Sequence, residues 1–282
     1  MTNARSFSFN LVRHAALVLT SSFALLPFVW MFTTSLKAAG DIFAPFSIWA
    51  IIPRNWGAME NYAAVFTDTP MLRFMANGLF VCLAILALQL LIAFPCAYAL
   101  AKLRFPGRQV LMASVVGSLL IPGQALVLPL FLLFHLVGLL DTYAALIIPH
   151  SISVFAIFLF RQFFLTTPDD YVHAARLDGM SEVGVIWRVM VPLAAPAILA
   201  FSAFSISSHW NDLLWPMTVV QTRELATAPL GLLFFKSADQ GVDYGKLMAA
   251  ATVVVAPLAL VFFYAQRALT DGLGLGGREP KS

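Results

Sequence analysis

Charged residues punctuate this sequence at long intervals. Between them lie six long stretches free of Asp, Glu, Lys and Arg, at residues 15–36, 74–101, 109–140, 142–160, 189–211 and 247–266. An α-helix rises about 1.5 Å per residue, so about 20 residues cross a hydrocarbon core near 30 Å. Each stretch has the length for one crossing and none for two. Apolar residues run through them continuously, where a barrel strand would alternate over about 10 residues. Backbone in lipid must satisfy its own polar groups, so the stretches predict helices. The expected fold is an all-α membrane protein of six transmembrane helices, at approximately 15–36, 75–101, 109–135, 142–163, 193–219 and 247–267. Residues 1–282 read as a single transmembrane domain without internal repeats.

Composition supports lipid as the solvent. The chain is 60% hydrophobic and 11% charged, against about 25% charged in soluble domains. The first stretch exceeds the roughly 7–15 apolar residues of a signal peptide, so it reads as an uncleaved span. Eleven of the 17 Lys and Arg fall on the side of the N-terminus, among them Lys102, Arg104 and Arg108 between the second and third spans. The positive-inside rule then puts both termini in the cytoplasm. Net charge is +3, which these basic loops account for without a nucleic-acid partner. Cys82 and Cys96 stand about 21 Å apart along one helix, too far for a disulfide.

Between the fourth and fifth spans lies a long inner loop, 166–192. Thr167 can cap a helix, Pro168 suits its first turn, and Asp169 and Asp170 favour its positive end. That helix is expected to reach Asp178, with Gly179 ending it in a left-handed turn. A second helix follows, its apolar stripe at Met180, Val183, Trp187 and Met190, with Pro192 as its stop. From the residues alone this hairpin is either a connector or a docking element. Ala174 and Ala175 are small enough to admit a close neighbour.

The loop resembles the coupling loop of binding-protein-dependent ABC importer permeases. His173-Ala174-Ala175, three residues, Gly179, nine residues, then Val189-Met190-Val191-Pro192 keeps that family's spacing throughout. Asn77-Gly78-Leu79, Leu103-Arg104-Phe105-Pro106-Gly107, Trp210-Asn211-Asp212 and Gln266-Arg267 extend the resemblance over most of the chain, toward the maltose- and glycerol-phosphate-type branch for carbohydrate uptake. The resemblance implies a permease subunit that moves a sugar or sugar-like solute into the cytoplasm. It implies a cytoplasmic ABC ATPase dimer, a second homologous permease and an extracytoplasmic solute-binding protein as partners, beside membrane lipid. ATP and Mg would be used by the ATPase, with no cofactor held here. The coupling residues it implies are Asp170, His173, Ala174, Ala175, Asp178, Gly179 and Pro192. One position departs: His173 stands where the family has Glu, and Asp169 or Asp170, a turn earlier, is the candidate replacement.

Polar residues inside the spans are the remaining candidates. Gln124, His150, Ser151, Asn211 and Asp212, with Gln89, either line a solute pathway or hydrogen-bond between helices. His14, His135, His150 and His209 lack metal-ligand spacing. Gly272-Leu273-Gly274-Leu275-Gly276-Gly277 has dinucleotide-fingerprint spacing but no preceding strand, and the chain has no phosphate-loop motif. Catalytic chemistry is not expected. The competing reading is a self-contained channel or secondary transporter, which would favour buried charges in several spans; here Asp212 alone qualifies.

Overall fold

In the computed structural model, the described residues are 2–38, 41–42, 59–237 and 241–272. They divide into two compact units, one drawn from 1–71 and 231–256, the other from 72–230 and 257–282. Residues 273–277 of the glycine motif noted in the sequence lie outside the described residues.

In the first unit α1 (Thr2–Ser35) leaves its apolar side chains exposed all round from Leu11 to Trp30. Phe23, for example, is 80% exposed. Such a surface is stable against lipid or another apolar helix and costly against water. The open carbonyls at the end of α1 are satisfied from α2 (Met59–Thr67): the Asn61 amide donates to the carbonyls of Ser35 and Lys37, at 2.9 and 3.0 Å. The unit also holds a two-residue antiparallel ladder, β1 (Lys236–Ser237) with β2 (Gly241–Val242), and the start of the last helix. Lys246 of that helix pairs with Asp68 at 2.9 Å.

The second unit is built on α3 (Met71–Lys102), an unbroken helix with Pro95 inside it. Arg108 closes its end by donating to the carbonyls of Leu100, Ala101 and Leu103. The third expected span is not continuous. It is α4 (Arg108–Ser118) and α5 (Val127–Leu136), set at 94° across a break. Pro122 is extended there and Gly123 starts a short 3-10 turn, which is why the helical ladder fails at this point. The fourth span is likewise α6 (Tyr143–Ile147), a 3-10 turn through His150, and α7 (Val154–Thr166), bent by 41°. Next come α8 (Asp170–Leu177), α9 (Glu182–Val185) and α10 (Val191–Leu193). Ala194 separates α10 from the main helix of the fifth expected span. That helix is α11 (Ala195–Trp210), interrupted at 211–213 before α12 (Leu214–Val219). The short α13 (Ala228–Gly231) and the long α14 (Tyr244–Gly272) complete the order.

Among the described residues two helices are long and apolar enough to cross a membrane, and up to five segments are if each bent pair is one span. The shorter apolar helix 244–260 stands beside these.

Two apolar clusters hold the second unit. Phe94 of α3 stacks on Phe160 of α7 at 4.5 Å between ring centres, and Phe160 meets Phe201 of α11 edge-on at 5.5 Å. Val172, Ala175, Val185 and Met190 join this cluster from the 166–192 segment. The second cluster gathers Val81, Ile85, Phe134, Leu146, Trp215 and Val219. Two polar clamps fix the same unit. Buried Asn77 donates to the carbonyls of Glu224 and Ala226 and accepts from the Tyr143 hydroxyl. Asp141, left-handed at φ 57°, accepts at one carboxylate oxygen from the amides of Gln221 and Thr222 and from the Thr222 hydroxyl. Burial alone would raise that carboxyl, and these three donors outweigh it and hold it below the usual carboxylate range.

Candidate functional site

The 166–192 segment is a helix–turn–helix, with its details shifted from expectation. Thr167 does not cap α8. It is extended, and its hydroxyl bonds back to the carbonyl of Phe163, closing α7. The cap position belongs to Asp169, and Asp170 opens the helix. At the other end Gly179 has φ 78°, with its amide on Arg176 and the Met180 amide on Ala175. This is a Schellman turn, whose left-handed residue glycine adopts without strain.

The second arm departs further. Ser181 caps α9, accepting from the amide of Gly184 at 3.3 Å. The ladder then loosens into a π-helix over Ile186–Met190 before returning to α-helix. Pro192 does not stop it; the helix runs on to Leu193 and the chain turns 80° at Ala194. The buried face is also offset from the expected stripe. Val185, Ile186 and Met190 are buried, whereas Val183 and Trp187 are exposed.

The segment is anchored to α3 at two points. The buried Lys102 ammonium donates to the Thr167 carbonyl, at 2.6 Å, and to the Asp169 carboxylate. The hydrogen bond from Lys102 and its charge hold Asp169 below the ordinary carboxylate range. Glu182 takes Arg176 at 2.8 Å and the Tyr98 hydroxyl at 2.6 Å. Its pKa is lowered first by Arg176 and then by Tyr98. Asp169 is thus engaged within the chain, while Asp170 is exposed. His173, Ala174, Asp178, Gly179 and Pro192 are exposed as well. Ala175 is not: it packs in the aromatic cluster, so its small size serves the interior of this chain.

The second locus is polar and lies among the helix breaks. Gln89 of α3 donates to the carbonyl of His150 at 2.8 Å, contacts His209 Nε2 at 3.2 Å and accepts from the Ser205 hydroxyl at 2.7 Å. Since the Gln89 oxygen is taken by a donor, its amide nitrogen faces His209, whose Nε2 is then the accepting nitrogen. Asp212 accepts from the amide of Trp215 with Oδ1, and its Oδ2 stands 3.9 Å from His150 Nε2. A cavity of about 460 Å³ is lined by Gln124, His150, Ser208, His209, Asp212 and Trp215, among others. A second of about 310 Å³ shares Pro149, His150, Ser208 and His209 with it and adds Gln89 and Ser205.

Gln124, His150 and Asp212 therefore come together. Ser151 and Asn211 line neither cavity; they bond to the carbonyls of Ile148 and Ser207 in their own turns. His209 and Ser208 were not singled out from sequence. Ser205 and His209, four residues apart on α11, are the polar face that signals them.

Residues 89–274 match the family model for the binding-protein-dependent transport system inner membrane component, and the chain belongs to that family. It is a permease subunit of an ABC importer, a transport component of the inner membrane rather than an enzyme, with ATP hydrolysis in a separate subunit. It is similar to the arabinooligosaccharides transport system permease protein of Halalkalibacterium halodurans, 33% identical over 78% of each chain. It is 31% identical to the diacetylchitobiose uptake system permease protein of Streptomyces coelicolor, over 95% of this chain and 88% of that one. The fold matches a chain in the crystal structure of a bacterial ABC transporter involved in alginate import, with a TM-score of 0.82 at 24% identity, covering 92% and 95% of the two chains.

Proposed function

We propose that this permease imports a sugar or sugar-like solute: an oligosaccharide, a polyol or a glycerol-phosphate type. The observation that carries the reading is the similarity, over 78% and 95% of the chain, to permeases named for arabinooligosaccharide transport and diacetylchitobiose uptake. The chain makes six crossings with both termini cytoplasmic, each broken helix pair counting as one. A solute-binding protein delivers from outside, and a second homologous permease forms the other half of the path. The exposed face of α8, with Asp170, His173, Ala174 and Asp178, and the Gly179 turn dock on the ATPase dimer. Pro192 stands at the far end of that loop. ATP and Mg bind the ATPase alone.

The anchors at Lys102 and Glu182 support a mechanical role. They make a docked loop and the end of α3 move as one piece. The cavity at Gln124, His150 and Asp212 lies among helix breaks, where discontinuous helices offer polar groups to a solute. Gln89, Ser151 and Asn211 then serve the helix ends, not the solute.

The test is copurification. The chain is tagged at its C-terminus and extracted in mild detergent after co-expression with its neighbouring genes. A stoichiometric ATPase and a second permease are expected, with ATP-dependent sugar uptake in vesicles. A lone chain that transports without ATP would establish the channel or secondary-transporter reading instead.

A further inference from the structure

Among the described residues, three buried side-chain atoms lack a hydrogen-bond partner: Thr34 Oγ1, His150 Nε2 and Thr227 Oγ1. Two of the three, on His150 and Thr227, belong to residues that line one small cavity together with Asp212. Its volume is about 10 Å³, close to that of a single seated water. Val81, Ile85 and Leu146 supply much of the remaining wall. Across it, His150 Nε2 and Asp212 Oδ2 stand 3.9 Å apart, too far for a direct hydrogen bond.

We propose that this cavity is a hydroxyl site: one neutral hydroxyl oxygen, from the solute or from a resident water, seats among His150, Asp212 and Thr227. The donor count fits. A carboxylate only accepts, so the hydroxyl donates to Asp212 Oδ2. Its two lone pairs then take the His150 Nε2–H and the Thr227 hydroxyl, so a solute hydroxyl leaves no polar atom over and a water keeps one further O–H. An anion would face the Asp212 carboxylate, and an ammonium would offer no acceptor to His150. His150, His209, Asp212 and Trp215 line both this site and the cavity of about 460 Å³, which puts the site beside the space assigned to the solute. The solute as source rests on the importer reading; the site does not.

The test uses the purified complex containing the full chain, in nanodiscs, with Thr227→Val, His150→Gln and the double variant. Thr227→Val keeps the shape and removes the hydroxyl. It is expected to lower the unfolding midpoint by about 2–4 °C. The double variant should lose less than the sum, since both residues hold one oxygen. A neutral or raised midpoint both with and without solute, as follows from deleting a buried hydroxyl that bonds nothing, would overturn the site. Should the valine variant not assemble, Thr227→Ser against Thr227→Ala decides: a higher midpoint for Ser supports the site and equal midpoints overturn it. A deficit that appears only with solute, with KM for uptake raised, identifies a solute hydroxyl; the same deficit without solute identifies water. Absence of ATP-driven uptake by the wild type would overturn the importer reading while the midpoint comparison still decides the site.

Discussion

Lys102, at the end of α3, is buried to 6% exposure with its ammonium on the carboxylate of Asp169, 67 residues further along the chain. The pair joins a membrane helix to the start of α8. Because Lys102 lowers the Asp169 pKa, its contribution is present above the ordinary carboxylate pKa of about 3.9 and is lost as pH falls through the lower folded value. The expected outcome is a flat midpoint difference between wild type and Asp169→Asn from pH 8 to about 5, which shrinks below about pH 4. Thermal unfolding across that range checks it. A difference that is already gone at neutral pH would show the pair to be idle.

Gly179 has nothing within 4 Å of where a side chain would begin, so a substitution there meets strain and not a clash. At φ 78° the strain for Val is about 1–2 kcal/mol, and smaller for Asn, which tolerates this region. Gly179→Val is expected to lower the ratio of solute uptake to ATP hydrolysed, with Gly179→Asn nearer wild type. Paired uptake and ATPase assays on the reconstituted complex measure that ratio. Wild-type coupling in the Val variant would remove the turn from the coupling pathway.

Asp141 combines a left-handed backbone with a three-donor carboxylate, so its variants should fall in a fixed order. Asn keeps both the conformation and an acceptor. Gly keeps only the conformation, and Ala keeps neither. Losses are expected to rise from small for Asn to about 2–3 kcal/mol for Ala. Unfolding midpoints of the three variants give the order. An Ala variant as stable as Asn would mean that neither strain nor the donors matter.

Asn77 uses both ends of its amide on three partners, so polarity matters more than size. Asn77→Leu should cost about 2–4 kcal/mol, and Asn77→Asp more, because it removes both donors and buries a charge. Yield of assembled complex and resistance to detergent report both. Equal behaviour of Leu and Asp would refute the clamp.

Some of this was readable from residues. Pro122-Gly123 stand at the break in the third span, where neither residue sustains a helical ladder. Gly179 announced a left-handed turn for the same local reason. The apolar stripe of the second arm was misread because Val183 and Trp187, like Val185 and Ile186, are apolar at helical spacing, and local sequence does not choose which face packs inward. Thr167 was misplaced because its hydroxyl can serve the helix behind it or the helix ahead, and local sequence does not choose. The Gln89–His209 and Asn77–Ala226 contacts join residues 120 and 149 positions apart, so no local signal points to them. Intramembrane polarity identified Asp212 and His150, but not Ser151 and Asn211 as residues that serve their own turns.

Ala174 and Ala175 are neighbours in sequence and face opposite masters. Ala174 looks outward, while Ala175 is wedged into this chain's own aromatic interior. Changes at 174, or at His173 beside it, alter what a visitor to the loop feels and leave the fold alone. Changes at 175 are vetoed by the fold before any visitor arrives. On the docking proposed for α8, re-addressing this permease to a foreign motor is a matter of repainting one side of a single short helix.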